Sequence, residues 1–239
     1  MRSSVTVIMS VHNGADTVKQ AIESVLAQTM EEFIFHITLD ACTDSTEEIV
    51  NSFDDQRIKV VSNEVNLGLT VSLINAVDTV TTPFWARIDA DDCWSSEKLS
   101  AQANFMNQHS DIFVYGESHS LKSDRHTLTS PADLSLKNNI IHSSVLVRTD
   151  RTMNYDPSFR FAQDYELWLR ILRAGKNISI GPNHTVVQGE SLQQISVKSE
   201  GTQRAFSLKA KLRHTPLRCW FSARYVFYMV KDLYVSLVR

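Results

Sequence analysis

The feature that constrains this chain most is the regular alternation of apolar and amphipathic stretches in its N-terminal part. Four short apolar runs, each the length of a buried strand, recur at intervals of about 25 residues. Strands that alternate with helices at this spacing predict a parallel sheet joined by right-handed crossovers. We therefore expect an α/β protein with a Rossmann-like, mostly parallel central sheet flanked by helices. The four predicted strands are Val5–Val11, Phe33–Leu39, Ile58–Ser62 and Phe84–Ile88.

The stretches between these runs have the spacing of helices that pack against a sheet. The first helix is expected to begin at Asp16, since Asp is a favoured N-cap residue, and the next two cover Thr46–Phe53 and Leu69–Val80. Apolar residues at i, i+3, i+4, i+7 and i+8 indicate the face that the first helix buries. They are Val18, Ala21, Ile22, Val25 and Leu26.

Polar residues follow three of the predicted strands at their carboxyl ends. Ser10 and His12 end the first strand, Asp40 ends the second, and an acidic cluster ends the fourth. Ligands of open α/β sheets bind at the carboxyl ends of the strands, so these side chains are expected to converge on one rim. The chain has neither a G-x-G-x-x-G motif after its first strand nor a G-x-x-x-x-G-K-[ST] motif, which argues against a dinucleotide fold and a standard P-loop.

The acidic cluster, Asp89, Asp91 and Asp92, has two interpretations. Like charges this close repel one another and raise one another's pKa unless a cation neutralises them. Carboxylate oxygens are ligands of Mg2+ or Mn2+, and substrate phosphates often complete the coordination shell of such an ion. One interpretation is therefore a metal site that binds a diphosphate. The other is an acidic turn before a helix cap, since Ser95 and Ser96 precede Glu97.

The composition limits the classes of partner. The 239 residues carry a net charge of -3, so nothing global indicates a nucleic-acid partner. Three widely separated cysteines, Cys42, Cys93 and Cys219, suggest neither zinc nor a disulfide framework and favour a reducing cytoplasm. The run Val5–Val11 is too short for the full pattern of a signal peptide, and no stretch of 18 apolar residues predicts a spanning helix.

The second half begins with a predicted helix at Ser96–Gln108 and a short strand at Phe113–Gly116. The segment Glu117–Asn139 is polar and is expected to be an irregular loop, and loops of this length are often functional. Another strand is expected at His142–Arg148.

A further amphipathic helix follows Asp156-Pro157, and its stripe contains one acid. Asp164 precedes Leu167, Trp168, Ile171 and Leu172 at helical spacing, so it is expected to face the interior. One interpretation is that Asp164 is the N-cap. The other is that it is a functional acid.

Several segments in this order resemble the family 2 glycosyltransferases with the GT-A fold, from about Val5 to Gly189. The resemblance implies a nucleotide-sugar donor, usually UDP-linked, and favours the metal interpretation of the acids, with Mn2+ or Mg2+ as the ion. The segments that carry it are Val7–Gly14, Ala21–Thr29, Asn66–Gly68 and Ala86–Asp92.

The same resemblance implies roles for individual residues. Asp40 matches the acid that hydrogen-bonds uracil, and Ser10 and His12 match positions that flank the base. Asp89 matches the ribose or diphosphate contact and a metal ligand, and Asp91 the direct metal ligand. For Arg87 we expect either a charge balancing the phosphates or an ion pair with a neighbouring acid.

Two further residues stand at functional positions of the family pattern. Asp164 lies in a segment similar to Glu-Asp-Tyr-x-Leu-Trp-Leu-Arg, whose Asp is the catalytic base, with Gln163 in place of the Glu. Gln188 stands where many relatives carry a His that completes the metal shell, and an amide oxygen can ligate such an ion.

The implied reaction is an inverting transfer in polysaccharide biosynthesis, to a glycan or lipid-linked acceptor. The chain has no Gln-x-x-Arg-Trp, the pattern of processive synthases, so we expect transfer of a single sugar. One alternative is a sugar-phosphate nucleotidyltransferase, although His12–Ala15 is a poor match to the Gly-rich, Arg-containing loop of that class. Another is a non-catalytic nucleotide-sugar binding module, which is supported by Gln163 and Gln188 in place of the Glu and His of the family pattern.

The C-terminal segment differs from the rest in charge. From Arg204 to Arg239 it holds eight basic residues and one acid, Asp232. Basic residues among aromatics such as Trp220 and Phe221 are typical of a helix lying on a membrane surface, here the inner face of the cell membrane. The alternatives are a helix packed on the domain or a homodimer contact. We therefore divide the chain into a catalytic domain at 1–204, with halves 1–92 for the nucleotide and 93–204 for the acceptor, and a tail at 205–239.

Overall fold

The computed structural model describes residues 4–189, 200–216 and 223–238. The tail residues Arg218, Trp220 and Phe221, and the segment 190–199, lie outside the described residues. Within the described part, the strand–helix alternation predicted for the N-terminal part is confirmed, with all four strands within one residue of their expected ends.

The described strands form one large sheet and one small ribbon. The large sheet has eight strands in the order β3-β2-β1-β4-β8-β6-β9-β7, and β5 pairs with β10. The strands are β1 (Val5–Val11), β2 (Phe33–Asp40), β3 (Ile58–Asn63), β4 (Phe84–Arg87), β5 (Cys93–Trp94), β6 (Ile112–Ser118), β7 (His126–Leu128), β8 (Leu146–Arg148), β9 (Asn177–Pro182) and β10 (Val186–Val187).

Helices cover this sheet. The long ones carry the apolar stripes that the sequence predicts, and two of them come from the C-terminal segment. They are α1 (Val18–Leu26), α2 (Thr46–Asn51), α3 (Leu69–Asp78), α4 (Lys98–Gln108), α5 (Pro131–Leu134), α6 (Gln163–Arg173), α7 (Glu200–His214) and α8 (Ala223–Val238), with a 3-10 turn at His142–Ser144.

The N-terminal half of the sheet is parallel, as expected for an α/β protein. β1 runs parallel to both β2 and β4, with Val5 opposite Phe33 on one side and Phe84 on the other. β8 is antiparallel to both β4 and β6, so the second half of the sheet is mixed. The carboxyl ends of β1, β2 and β4 therefore meet at one edge, where the polar residues of the sequence pattern are found.

The two-stranded ribbon joins β10 to the acidic turn after β4. Val186 pairs with Trp94, and the Gly189 N–H donates to Asp92 Oδ1 at 3.1 Å. A Cβ added to Gly189 would lie 1.9 Å from the backbone oxygen of Asp91, so only glycine fits this approach. Strands of two residues carry no periodicity, which is why the sequence does not predict the ribbon.

The N-cap expected at Asp16 is wrong, and Asp164, for which an N-cap was one of two interpretations, does not occupy that position either. Helix α1 is capped at Thr17 rather than Asp16, and neither this cap nor that of α6 has a side-chain hydrogen bond. The N-cap position of α6 is Ala162, in the left-handed region at φ 52°, so Asp164 lies inside the first turn. The alternative that Asp164 is an N-cap is therefore excluded.

Two segments of the second half differ from the sequence prediction in the type of structure they form. The expected irregular loop Glu117–Asn139 contains the end of β6, the short strand β7 and helix α5. Ser130 and Asp133 form a capping box at α5, which is a sequence signal for the start of a helix within this polar segment. The strand expected from His142 begins only at Leu146, because Ser144 N–H bonds to Ile141 O and closes a 3-10 turn.

The C-terminal helices pack on the catalytic domain and on each other. His214 of α7 lies 2.9 Å from Glu166 of α6, and the buried Asp232 of α8 receives Lys211 Nζ at 2.6 Å and Arg204 Nη1 at 3.0 Å. Helix α7 runs across residue 204, where the sequence places the domain boundary. Across the described ranges, no helix combines the length and apolarity needed to cross a membrane.

Candidate active site

All the site residues that the sequence singles out line one cleft of about 630 Å3 at the carboxyl edge of the sheet. Strands β1, β2 and β4 supply one wall, α6 another, and Gln188, directly after β10, lies at the rim. The structure therefore brings together residues that are far apart in sequence. They are Ser10, His12, Asp40, Arg87, Asp89, Asp91, Asp164 and Gln188.

Asp40 holds the loop between β3 and α3 in place at the cleft wall by accepting hydrogen bonds from it. Its side chain is buried, and its Oδ1 accepts from Asn63 Nδ2 at 2.8 Å and from Leu67 N at 2.9 Å. Its Oδ2 accepts from the Gly68 N–H at 2.9 Å. His12 Nδ1 lies 2.7 Å from the Asp40 backbone oxygen, which holds the exposed imidazole at the rim. A carboxylate has about four acceptor sites, so Asp40 retains capacity for a ligand N–H.

Three non-glycine residues with left-handed backbone conformations stand around this edge. Asn13 (φ 54°) and Ala41 (φ 53°) follow the ends of β1 and β2, and Ala162 (φ 52°) precedes α6. The Asn13 turn is fixed by its Oδ1, which accepts from Thr43 N at 2.8 Å. Such conformations cost free energy and tend to occur at functional sites.

Arg87 forms an ion pair with a neighbouring acid, the second of the two expectations for it. The guanidinium is almost completely buried, and its two terminal nitrogens donate to the two oxygens of Asp89. Ser143 Oγ donates to Asp89 Oδ2 at 3.2 Å and accepts from Asp89 N at 3.0 Å. Asp89 is thereby held at the floor of the cleft with its side chain 35% exposed.

The acidic cluster has the chemistry of a cation site. Asp89, Asp91 and Asp92 each place one carboxylate oxygen within 4.8 Å of the others. Burial, with the charges of Asp89 and Asp91 adding to it, raises the pKa of Asp92 to about 6. Three hard oxygen donors that repel one another fit a divalent ion. The alternative of a helix cap is not supported, because α4 begins after Glu97 without a side-chain cap.

Asp164 faces the cleft from the first turn of α6. Its Oδ2 accepts a hydrogen bond of 2.6 Å from Asn138 Nδ2, and Asn138 is itself fixed because its Oδ1 accepts from the Ile140 N–H at 3.2 Å. Burial raises the pKa of Asp164, while the Asn138 hydrogen bond and the charge of Arg87 act in the opposite direction. A carboxylate with a raised pKa is a better proton acceptor near neutral pH.

Gln188 lies at the rim beside the acidic turn. Its Oε1 is 2.7 Å from His119 Nε2, and the next residue, Gly189, bonds to Asp92. The amide oxygen that the sequence suggests as a ligand is therefore engaged with His119 in this structure.

Sequence reasoning did not single out several polar residues that line the cleft. Asn138 and His142 come from the segment interpreted as loop and strand, and Gln203 and Ser207 come from α7. None belongs to a motif with a fixed spacing. The one available signal is the polar character of the Glu117–Asn139 segment, which marks a region without naming a residue.

A mostly parallel α/β sheet with an acidic cluster at its carboxyl edge and an inward-facing acid across the cleft defines a group-transfer enzyme. The family model for "Glycosyl transferase family 2" matches residues 6–162. Because this match covers well over half of the chain, the protein belongs to glycosyl transferase family 2 and is a glycosyltransferase.

Curated relatives from bacteria span most of the chain. The UDP-Glc:alpha-D-GlcNAc-diphosphoundecaprenol beta-1,3-glucosyltransferase WfgD of Escherichia coli is 28% identical, over 95% of this chain and 94% of WfgD. A second enzyme of the same description, WfaP of Escherichia coli, is 32% identical over 72% of this chain and 71% of WfaP. The putative teichuronic acid biosynthesis glycosyltransferase TuaG of Bacillus subtilis is 31% identical over 72% of this chain and 73% of TuaG.

Solved structures share the fold. S. aureus TarS 1-349 in complex with UDP-GlcNAc superposes with a TM-score of 0.68 at 17% identity, over 98% of this chain and 72% of TarS 1-349. The mannosyltransferase PcManGT from Pyrobaculum calidifontis, in complex with GDP-Man and Mn2+, gives a TM-score of 0.74 at 14% identity, over 99% of this chain and 73% of PcManGT. These likenesses confirm the GT-A fold expected from the sequence.

Proposed function

We propose that this protein transfers one sugar from a UDP-sugar to a hydroxyl of a lipid-linked or glycan acceptor, with inversion, in polysaccharide biosynthesis. The observation that carries the proposal is that Asp164 and the Asp89–Asp92 cluster line the same cleft in a chain of family 2. One group accepts a proton and the other suits a bound diphosphate, which are the two requirements of a single displacement.

The choice of donor and acceptor rests on relatives. WfgD and WfaP are described as UDP-Glc:alpha-D-GlcNAc-diphosphoundecaprenol glucosyltransferases, and TarS has been solved with UDP and UDP-GlcNAc. We assign the donor end of the cleft to Ser10, His12 and Asp40, where a backbone-fixed imidazole and a carboxylate with spare acceptor capacity meet. The acceptor then enters from the side of α6 and α7.

Asp164 is assigned as the general base. It removes the proton from the acceptor hydroxyl while the oxygen of that hydroxyl forms a bond to C1 of the donor sugar. The bond from C1 to the diphosphate breaks, and its electron pair leaves with the diphosphate. One displacement inverts C1 and requires no second carboxylate as nucleophile. General base catalysis of this kind contributes typically ~10^2- to 10^4-fold.

The cation site is assigned to Asp91 and Asp89, with Gln188 as a further ligand and Mn2+ or Mg2+ as the ion. A bound divalent ion would stabilise the charge that develops on the departing diphosphate. Arg87 fixes one of the ligands, because its paired guanidinium orients Asp89. For Gln188 to ligate, its amide oxygen must leave His119, so its contribution depends on a side-chain rotation.

The tail is assigned to surface attachment at the inner face of the cell membrane. In α8 the residues Val226, Phe227, Val230 and Tyr234 are each 46–64% exposed and fall on one helical stripe. This apolar face, beside a net charge of +7 over residues 204–239, has the composition of an interfacial helix. The division into 1–92, 93–204 and 205–239 remains our proposal for the domains, with a homodimer as the competing use of the same stripe.

Purified protein incubated with UDP-glucose, Mn2+ and a synthetic GlcNAc-diphospholipid tests the proposal. We expect a disaccharide product with inverted C1, and slow donor hydrolysis when the acceptor is omitted. Asp164→Asn should retain UDP binding and lose transfer. The proposal fails if no UDP-sugar is either bound or consumed, or if Asp164→Asn transfers at the wild-type rate.

A further inference from the structure

His142 occupies a position between the two functional ends of the cleft. Its neighbour in sequence, Ser143, hydrogen-bonds to Asp89 at the diphosphate end. Its ring stands edge-on to Trp168, with centroids 6.1 Å apart, and Trp168 lies one helical turn after Asp164. Since His142 also lines the cleft, its imidazole borders the space between the diphosphate ligands and the base.

The orientation of this imidazole is fixed by Tyr155. The phenol oxygen lies 2.8 Å from His142 Nε2, and the two rings are edge-on with centroids 5.7 Å apart. The ring of Trp85 also packs against Tyr155, with centroids 6.1 Å apart. His142 therefore has contacts on two sides and a hydrogen bond at one nitrogen.

The hydrogen bond between Tyr155 and His142 also fixes the tautomer of the His142 imidazole. Tyr155 is 4% exposed, and within the described part of the chain its hydroxyl has no partner other than His142. If His142 Nε2 carried the proton, the Tyr155 O–H would be buried without an acceptor, which costs free energy. Tyr155 therefore donates and Nε2 accepts, which leaves the ring proton of a neutral His142 on Nδ1.

His142 stays neutral in this environment. Burial, with the charge of Arg87 adding to it, lowers the pKa of His142 well below its usual range. Burial also raises the pKa of Tyr155, which keeps its hydroxyl protonated. Among the described residues, Nδ1 of His142 has no hydrogen-bond partner. The cleft thus contains an oriented, uncharged N–H donor that no protein group uses.

We propose that His142 Nδ1–H donates a hydrogen bond to an oxygen of the transferred sugar, and that Tyr155 positions His142 to do so. This inference rests on the proposed sugar transfer. The sugar is the one part of the donor that must lie between the diphosphate and the base, because its C1 reacts with groups at both ends. An uncharged donor suits a sugar hydroxyl, whereas the phosphates have Arg87 and the cation site nearby.

The test compares UDP with UDP-sugars as ligands. Titration calorimetry with Mn2+ gives the dissociation constants of UDP, UDP-glucose and UDP-GlcNAc for each variant. The informative variant is His142→Phe combined with Tyr155→Phe, because replacing both partners of a buried hydrogen bond by apolar groups of similar shape is nearly neutral for stability. Tyr155→Phe alone removes the hydroxyl that fixes the tautomer and leaves the ring packing in place.

We expect the ratio of the UDP-sugar to the UDP dissociation constant to rise about 3- to 10-fold in the double variant, as for the loss of one hydrogen bond. Tyr155→Phe should raise the ratio less, and Tyr115→Phe, which removes a buried phenol hydroxyl outside the cleft, should leave it unchanged. An unchanged ratio in the double variant overturns the inference, as does equal weakening of UDP and UDP-sugar. If the wild-type protein binds no UDP-sugar at all, the proposed function fails instead.

Discussion

Asn138 Nδ2 donates a hydrogen bond of 2.6 Å to Oδ2 of Asp164, across 26 residues of sequence. The contact links the segment before the 3-10 turn to the first turn of α6, and it fixes one carboxylate oxygen of the proposed base. Asn138 thus orients the proposed base and also lowers its pKa, in opposition to burial. The effect on the pKa can be tested by replacing the amide with an isosteric carboxylate.

We predict that Asn138→Asp moves the acidic limb of the kcat–pH profile to higher pH. The substitution keeps the acceptor for Ile140 N–H but replaces the donor to Asp164 by a second negative charge, which raises the pKa of Asp164 further. Since the base acts when deprotonated, activity is lost at a higher pH than in the wild type. A pH series of the transfer rate measures the shift.

Asn154→Asp is the matched control for this experiment. Asn154 Nδ2 donates to Asp78 Oδ1 at 2.8 Å, the same type of contact, but Asn154 does not line the cleft. Its variant should lose stability for the same electrostatic reason without changing the pH profile. If both variants leave the acidic limb where it is, Asn138 does not act on the base.

Asp164→Asn should separate activity from stability. Transfer is expected to fall ~10^2- to 10^4-fold, because the amide cannot accept the proton. Burial raises the pKa of Asp164, so the folded state prefers the protonated carboxyl group. As pH rises through that pKa, the folded protein has to bury a charged carboxylate, and its free energy of unfolding falls. The neutral amide should therefore have a Tm equal to or above that of the wild type at pH 8, with the difference shrinking toward acidic pH. A lower Tm at pH 8 would contradict this account.

Asp91→Ala should abolish the dependence of UDP binding on a divalent ion. The cluster would retain two carboxylates, one of them already paired with Arg87, so little charge remains to hold a cation. Because a catalytic ion contributes several kcal/mol, transfer is expected to fall ~10^2-fold or more. Calorimetry of UDP binding with Mn2+ and with EDTA measures the effect. Asp124→Ala, an exposed acid in the polar segment, is the control and should bind UDP as the wild type does.

Gly189→Ala should disturb the same site from the backbone side. The new Cβ would lie 1.9 Å from Asp91 O, so either the acidic turn or the end of the ribbon must move. We expect a loss of stability of about 1–3 kcal/mol, as for overpacking, together with weaker Mn2+-dependent UDP binding. Val187→Ala, at a side chain that is 71% exposed two residues away, should change neither. A Gly189→Ala protein with wild-type Tm and binding would show that the contact is not needed.

The parts of this structure that sequence reasoning predicts are those set by periodicity and chain order. The runs that form β1, β2 and β4 are apolar because these strands are buried, whereas β3 is an edge strand with exposed valines. The carboxyl ends of the parallel strands fall on one edge for topological reasons. That is why Ser10, Asp40 and Asp89 converge as expected. Their individual roles in catalysis remain predictions.

The parts that sequence reasoning misses depend on contacts between distant residues. Asn138 and Tyr155 belong to no motif, and each becomes part of the site only through one partner, Asp164 or His142. Helix starts failed for a related reason: Asp16 is a good N-cap by propensity, yet the chain turns at Gly14 and the cap falls at Thr17. Propensity gives a preference, and tertiary contacts decide between neighbouring residues.

The exposed apolar stripe of the C-terminal helix α8 predicts that the protein binds to a lipid surface. Asp232 fixes one side of α8 on α7 through Lys211 and Arg204, so the stripe with Phe227 and Val230 is turned away from that contact. Helix α7 also lines the cleft through Gln203 and Ser207, so an attached α8 would hold the acceptor side of the cleft near the lipid surface. Such an arrangement suits a lipid-linked acceptor.

Phe227→Ser combined with Val230→Ser should reduce binding to vesicles that contain acidic lipids at least about tenfold, since burying a large apolar side chain contributes about 1.5–3 kcal/mol. The substitutions fall on exposed positions, so Tm and UDP binding should not change, and added salt should weaken the wild-type binding further. Val61→Ser, on a 46% exposed valine of β3, is the matched control in the flotation assay.

Equal flotation of the double variant and the wild type would rule out lipid attachment through this face. A wild-type dimer in sedimentation that the double variant abolishes would instead assign the face to a second copy of the chain.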